Sequence, residues 1–148
     1  MYTYQYPRPA LTIDIVLFKK VQELYRVLLI KRAQEPFAGK YALPGGFLDI
    51  SETLEEAAVR ELREETGLKN IGLVQIHTFS DPGRDPRERV ISTAYSAVIN
   101  DNYQYQLRAD SDAAEAGWHQ LSNLPALAFD HSEIIQVAID KMNIKINA

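Results

Sequence analysis

The chain reads as an α/β protein with helices packed on a mixed sheet. Three observations carry that reading. Apolar runs with strand character recur along the chain, an acidic segment carries helix-boundary signals at both ends, and a second helical pattern closes the sequence. Leu11 to Phe18, "LTIDIVLF", alternates apolar and other residues, and after the polar "KKVQEL" the run "YRVLLIKR" reads as its hairpin partner. The loop "EPFAGKYALPGGF" is marked by glycine and proline. Behind it, Thr53 with Glu56 fits a capping box and Gly67 supplies a left-handed terminator, which predicts a helix over about Leu54 to Thr66. Strands follow around "IGLVQIHTF" and "RVISTAYSAVI", separated by "SDPGRDPRE", and "AGWHQL" reads as a short strand. Asp130 to Met142 forms the terminal helix, with Asp130 as N-cap and Glu133 completing a capping pattern. No repeat or linker-like stretch interrupts this order, so residues 1–148 are expected to form one domain.

Composition narrows the chemistry. The 148 residues suit a single core, and no run of eighteen apolar residues or amino-terminal signal pattern is present, so a cytoplasmic chain with no membrane partner is expected. There is no cysteine, which removes disulfides, thiolate catalysis and Cys-based zinc sites. The three histidines, at positions 77, 119 and 131, leave oxygen as the main source of any metal ligands. A formal charge of −4 argues against binding nucleic acid through overall charge and favours a small-molecule partner.

The acidic helix raises a physical question. On a helix Glu61, Glu64 and Glu65 share one arc at the carboxyl-terminal end, where they oppose the dipole as well as one another. Two carboxylates about 5 Å apart repel by roughly 3 kcal/mol at an effective dielectric near 20. Bound cations remove that cost. Magnesium and manganese want hard oxygen ligands, and a glutamate cluster supplies them.

Counted from Gly46, the pattern is glycine, five residues, Glu52, seven residues, then "RELREETGL" from Arg60 to Leu68. By composition this arrangement has a probability on the order of 10⁻⁹ at a given start. It resembles the Nudix box at every specified position. A strand pair ending in Lys31 and Arg32, the "YALPGGF" loop and the late Trp118 extend the resemblance over most of the chain.

The Nudix resemblance implies an α/β/α sandwich with a mixed sheet and hydrolysis of a nucleoside diphosphate linked to another moiety. It implies Mg²⁺ (or Mn²⁺) held by Glu61, Glu64, Glu65 and the carbonyl of Gly45. Arg60 lies four residues from both Glu56 and Glu64, so an orienting role is assigned to it, fixing a catalytic Glu64 that touches metal or water. Glu52 is either an accessory ligand or a partner of Arg60. In relatives a general base often comes from a loop outside the box. Asp112 is the first candidate here, with Asp110 and Glu115 behind it, and a solvated acidic loop is the competing reading.

"SDPGRDPR", with Pro82, looks like a stretch common in the ADP-ribose pyrophosphatase branch, although Glu88 stands where relatives often have glycine. Arg84, Arg87 and Arg89 offer guanidinium groups to phosphates, against the plainer role of pairing with Asp81, Asp85 or Glu88. Arg32 resembles a family position that contacts phosphate. Phe37, Tyr41 or Phe79 could stack on adenine, against an ordinary place in the core. "LAFDHSEI" also resembles this branch; Phe129 and His131 either reach the ligand or, as favoured here, mark a helix start.

Three functions are therefore weighed. The leading one is a Mg²⁺-dependent ADP-ribose pyrophosphatase giving AMP and ribose 5-phosphate. The second is a nucleotide-sanitising hydrolase of nucleoside triphosphates or other sugar nucleotides. The third is a non-catalytic ADP-ribose sensor like the Nudix-related transcriptional regulators. An intact box, and the short stretch after Trp118 where those regulators carry a DNA-binding domain, favour an enzyme. Family habit and the "YPRPAL" arm imply a homodimer.

Overall fold

The computed structural model describes residues 1–102 and 113–146. Two long strands, β1 (Ala10–Val21) and β2 (Leu24–Arg32), form the expected antiparallel hairpin. The glycine- and proline-marked loop contains two short strands, β3 (Tyr41–Ala42) and β4 (Gly45–Phe47), which pair with β2 and β1 respectively. Helix α1 (Leu54–Thr66) follows, then β5 (Val74–Phe79), β6 (Val90–Asn100), β7 (Ala113–Gln120) and helix α2 (His131–Lys141).

Among the described residues the sheet has seven strands, with the central order β3-β2-β1-β6-β5, β4 joining β1 and β7 joining β2. The β1–β6 pair is parallel and the other pairs are antiparallel, so the sheet is mixed as expected.

Strand β1 divides the core. Alternate side chains point to opposite faces of a strand. Ile13, Ile15 and Leu17 meet Ala57, Ala58 and Leu62 of α1, while Val16 and Phe18 meet Ile134, Ile135 and Ala138 of α2. Both faces are thus covered, which explains why Thr12 to Lys19 are all buried where alternation alone would leave one face wet. Asp14 lies within this run, on the α2 side. Among the described residues, no helix is long and apolar enough to cross a membrane.

Helix α1 has the boundaries its caps predict. The Thr53 side chain accepts the Glu56 N–H, the Glu56 side chain accepts the Thr53 N–H, and Gly67 ends the helix at φ 82°. The amino end of α2 departs from expectation. Asp130 occupies the N-cap position, yet its side chain makes no capping hydrogen bond. Arg84 takes both of its oxygens instead, at 2.9 and 2.7 Å.

Candidate active site

The box folds as a glycine loop pressed against α1. Gly46 passes so close to Glu61 that a Cβ there would collide with the carboxylate, its Cδ lying 2.6 Å away. At Gly45 a Cβ would strike the Ile13 carbonyl and approach Asp14 Oδ1 to 2.7 Å. The Gly45 N–H donates to Glu65 Oε1 at 2.7 Å, which ties the loop to the helix.

Arg60 gathers the other box carboxylates. Its Nε and Nη2 donate to the two oxygens of Glu52 at 2.9 and 2.5 Å, its Nη1 to Glu61 at 2.8 Å and to Glu64 at 3.3 Å. A further bond to the Phe47 carbonyl at 3.1 Å and a 3.6 Å approach to Asp49 complete the knot. Of the two roles open to Glu52, the structure displays the partnership with Arg60. The expected bond to Glu64 is present, and it is the longest of the set. Arg60 holds the Glu52 carboxyl down to about 2, and Glu52 and Glu61 in turn raise Arg60 above its ordinary value. Burial pushes Glu61 up, against the hydrogen bond from Arg60. A carboxylate whose burial outweighs its bond to Arg60 suits a cation.

The donor chemistry fits a hard divalent ion, and Gly46 leaves the Glu61 carboxylate room that any side chain would take. The ligands are not yet gathered. Among the described residues no three acidic or histidine side chains converge on one metal-sized point. Arg60 occupies Glu61 and Glu64, and the Gly45 N–H occupies Glu65.

Beside the box opens a cleft of about 180 Å³, whose lining includes Gly45, Glu65, Arg32, Arg84, Arg87 and Phe129. The structure therefore brings three of the four expected substrate residues into one hollow with the buried end of the glutamate cluster. Their settings differ. Arg32 donates to the Pro36 carbonyl at 2.7 Å and lies 5.0 Å from the Phe129 ring centre. Arg87 grips both oxygens of Asp85, at 3.0 and 2.7 Å, while its guanidinium carbon stands 5.2 Å from Phe129 and 5.1 Å from Phe47. Burial alone would raise Asp85, but the bonds from Arg87 hold it below the usual carboxylate range. The Arg84 side chain is only 4% exposed and is spent on Asp130. Phe37 does not line the cleft; it packs edge-on against Phe129 at 4.8 Å.

Sequence reasoning missed the floor of this hollow. Thr12 and Asp14 of β1 line it, and Asp14 is buried against the Ser92 hydroxyl at 2.5 Å. The available signal was an acid inside the apolar run "LTIDIVLF", since a buried carboxylate needs dedicated partners. Asp130, read as a cap, serves as the counterion of Arg84. Asp112 and Asp110 lie outside the described residues. Glu115 accepts the Tyr41 hydroxyl at 2.7 Å.

A family model for the NUDIX domain matches residues 8–138, and the chain belongs to the Nudix family. ADP-ribose pyrophosphatase of Methanocaldococcus jannaschii is 46% identical over 131 residues, covering 88% of this chain and 73% of that protein. The ADPR responsive transcriptional repressor NtrR of Acinetobacter baylyi is 35% identical over 143 residues, 95% of this chain but 57% of the repressor. In three dimensions the NUDIX domain of Shewanella oneidensis NrtR, solved with ADP ribose, superposes with a TM-score of 0.85 at 31% identity, covering 93% of this chain and 90% of that one. Within its family the chain is a Nudix pyrophosphohydrolase.

Proposed function

We propose that the chain hydrolyses ADP-ribose to AMP and ribose 5-phosphate with Mg²⁺ or Mn²⁺. The observation that carries this reading is the continuity of one hollow from Gly45 and Glu65 of the box to Arg32, Arg87 and Phe129. That continuity supports a diphosphate lying between the box and the cationic and aromatic groups of the opposite wall. The relatives named for ADP-ribose support the same substrate.

In this proposal Glu61, Glu64, Glu65 and the Gly45 carbonyl hold the cation. When bound, it shields the diphosphate charge and lowers the pKa of water. Arg60 orients the carboxylates from behind. Glu64, the most exposed of the three at 41%, has the freedom to exchange Arg60 for water or metal. Arg32 and Arg87 face the phosphates from the opposite wall, Arg84 fixes the shape of the loop that carries Arg87, and Phe37 backs Phe129. Asp112 remains the candidate base. A homodimer and the absence of a nucleic-acid partner belong to the same proposal.

The test is a turnover panel with Mg²⁺, Mn²⁺ or chelator, comparing ADP-ribose, other sugar nucleotides, dinucleoside polyphosphates and nucleoside triphosphates. Metal-dependent AMP release, fastest from ADP-ribose, is expected. Turnover confined to triphosphates would overturn the substrate. Tight ADP-ribose binding without turnover of any compound would make the chain a sensor.

A further inference from the structure

The floor of the cleft carries a polar chain in which Asp14, Arg84 and His131 all line the hollow, and in which His131 has no part in the proposed chemistry. His131, at the start of α2, is 5% exposed. Its Nδ1 accepts the Leu43 backbone N–H at 3.0 Å, so the ring proton resides on Nε2, which stands 3.4 Å from Asp14 Oδ1. Asp14 Oδ2 accepts the Ser92 hydroxyl and lies 3.9 Å from Nη2 of Arg84. Arg84 returns to Asp130, the residue preceding His131.

The segment held by His131 is the entry to the box. Leu43 is bonded to α2, Pro44 accepts the Ile15 N–H of β1 at 2.8 Å, and Gly45 donates to Glu65 of α1. Three consecutive residues are thus pinned to three different elements. The Leu43 attachment joins this loop to α2 one residue after Asp130, the partner of Arg84, beside the backbone bond from Ala128 to Tyr41 at 2.8 Å and the approach of Arg87 to Phe47.

We propose that His131 is a positioning residue: through Leu43 it sets the place of Gly45 and Glu65 relative to the arginine loop. The inference rests on the reading of Gly45 and Glu65 as part of the cation site. An apolar residue could fill the same volume, but it would leave the Leu43 N–H buried without an acceptor. The choice of ring nitrogen matters. Asparagine places its Oδ1 near the site of Nδ1 and keeps the acceptor for Leu43. Glutamine places its amide nitrogen near Nε2 and keeps only the approach to Asp14.

The experiment compares His131→Asn and His131→Gln in the full chain, by three readouts. These are Mn²⁺ affinity without substrate, amide hydrogen exchange at Leu43 and Gly45, and kcat and KM for ADP-ribose. His131→Asn should stay within about threefold of the parent. His131→Gln should lose ~10–100-fold in kcat with KM little changed, bind Mn²⁺ about tenfold more weakly, and exchange faster at both amides. Equal losses in the two variants, or unchanged Mn²⁺ binding in His131→Gln, would overturn the role. Should neither variant fold, the parent decides: Mg²⁺ should slow exchange at Leu43, and no change would reject the coupling. A parent that binds Mn²⁺ but leaves ADP-ribose intact overturns the substrate reading alone.

Discussion

Two charge clusters flank the loop at Gly45, and they are built on opposite principles. The outer one draws Glu52, Glu61 and Glu64 onto the single guanidinium of Arg60 near the protein surface, where the side chains of Arg60 and Glu64 are 22% and 41% exposed while those of Glu52 and Glu61 are 12% and 14% exposed. The inner one places Asp14, Arg84, Asp130 and His131 under the cleft, with no side chain more than 13% exposed. One arginine serving several acids can exchange partners cheaply because water stands by to replace any bond it gives up. A buried set in which each group already has its partner cannot. The outer cluster is suited to receiving an ion, and the inner one to holding a shape.

Glu65 sits on the boundary between them, on α1 like the outer set but buried beside the cleft like the inner one. Glu65→Gln removes the charge and keeps an oxygen for the Gly45 N–H. It should leave folding intact, by circular dichroism and thermal unfolding, and reduce ADP-ribose turnover by ~10³-fold, the scale of several kcal/mol of charge stabilisation. Near-normal initial rates at saturating Mg²⁺ would move the chemistry away from this boundary.

The inner cluster should respond in stability instead. Asp130→Asn leaves the Arg84 guanidinium, already paying for its burial, with no full counter-charge at hydrogen-bond distance. Breaking a buried pair from one side costs ~3–5 kcal/mol, which urea unfolding would register as a large fall in midpoint. A loss below about 1 kcal/mol would mean that the inner cluster behaves like a surface ion pair and that the contrast is false.

The same contrast explains what was legible in the sequence. Every hydrogen bond made by Arg60 reaches a residue within thirteen positions, so helix geometry and one motif were enough to bring Arg60 to Glu64 and to offer Glu52 as its partner, though the bond to Glu61 was not foreseen. The inner bonds join residues 46, 78 and 88 positions apart, and only the parallel pairing of β1 with β6 and the docking of α2 bring them together. Strands β3 and β4 were missed for a related reason: at two and three residues they carry no periodicity and exist by virtue of their partners. Asp130 shows tertiary contact overriding a local rule, since the cap signal was present and Arg84 claimed the side chain.

Acidity gives a smaller test of the inner set. Burial lowers His131 below its ordinary 6.5, with Arg84 and Arg32 acting in the same direction and Asp14 and Asp130 against it. The folded chain therefore keeps the ring neutral while the unfolded chain takes up a proton as the pH falls through 6.5. Stability should be flat above that value and decline below it, by up to ~1.4 kcal/mol per pH unit, until the folded ring titrates. Denaturant midpoints from pH 8 to 5 in the parent and in His131→Asn would isolate the effect. Parallel profiles would remove His131 from the account.

The outer cluster should show the smallest change in stability and a clear change in titration. In Arg60→Met the Glu52 carboxyl loses the bonds that hold it near 2. A carboxyl lowered in the fold adds stability that is present above its ordinary value, 4.5, and lost as the pH falls toward 2, so that increment should vanish in the variant. Carbon-detected titration should find Glu52 back near the usual carboxylate range, more than about one unit higher. The unfolding midpoint at neutral pH should fall less than in Asp130→Asn, because Glu64 is 41% exposed and the released glutamates can turn to water, although Glu52 and Glu61 are only 12% and 14% exposed. If the midpoint instead fell as far as in Asp130→Asn, Arg60 would be a structural clamp like Arg84. A cation entering the box would then have to break a clamp rather than replace a loosely held partner.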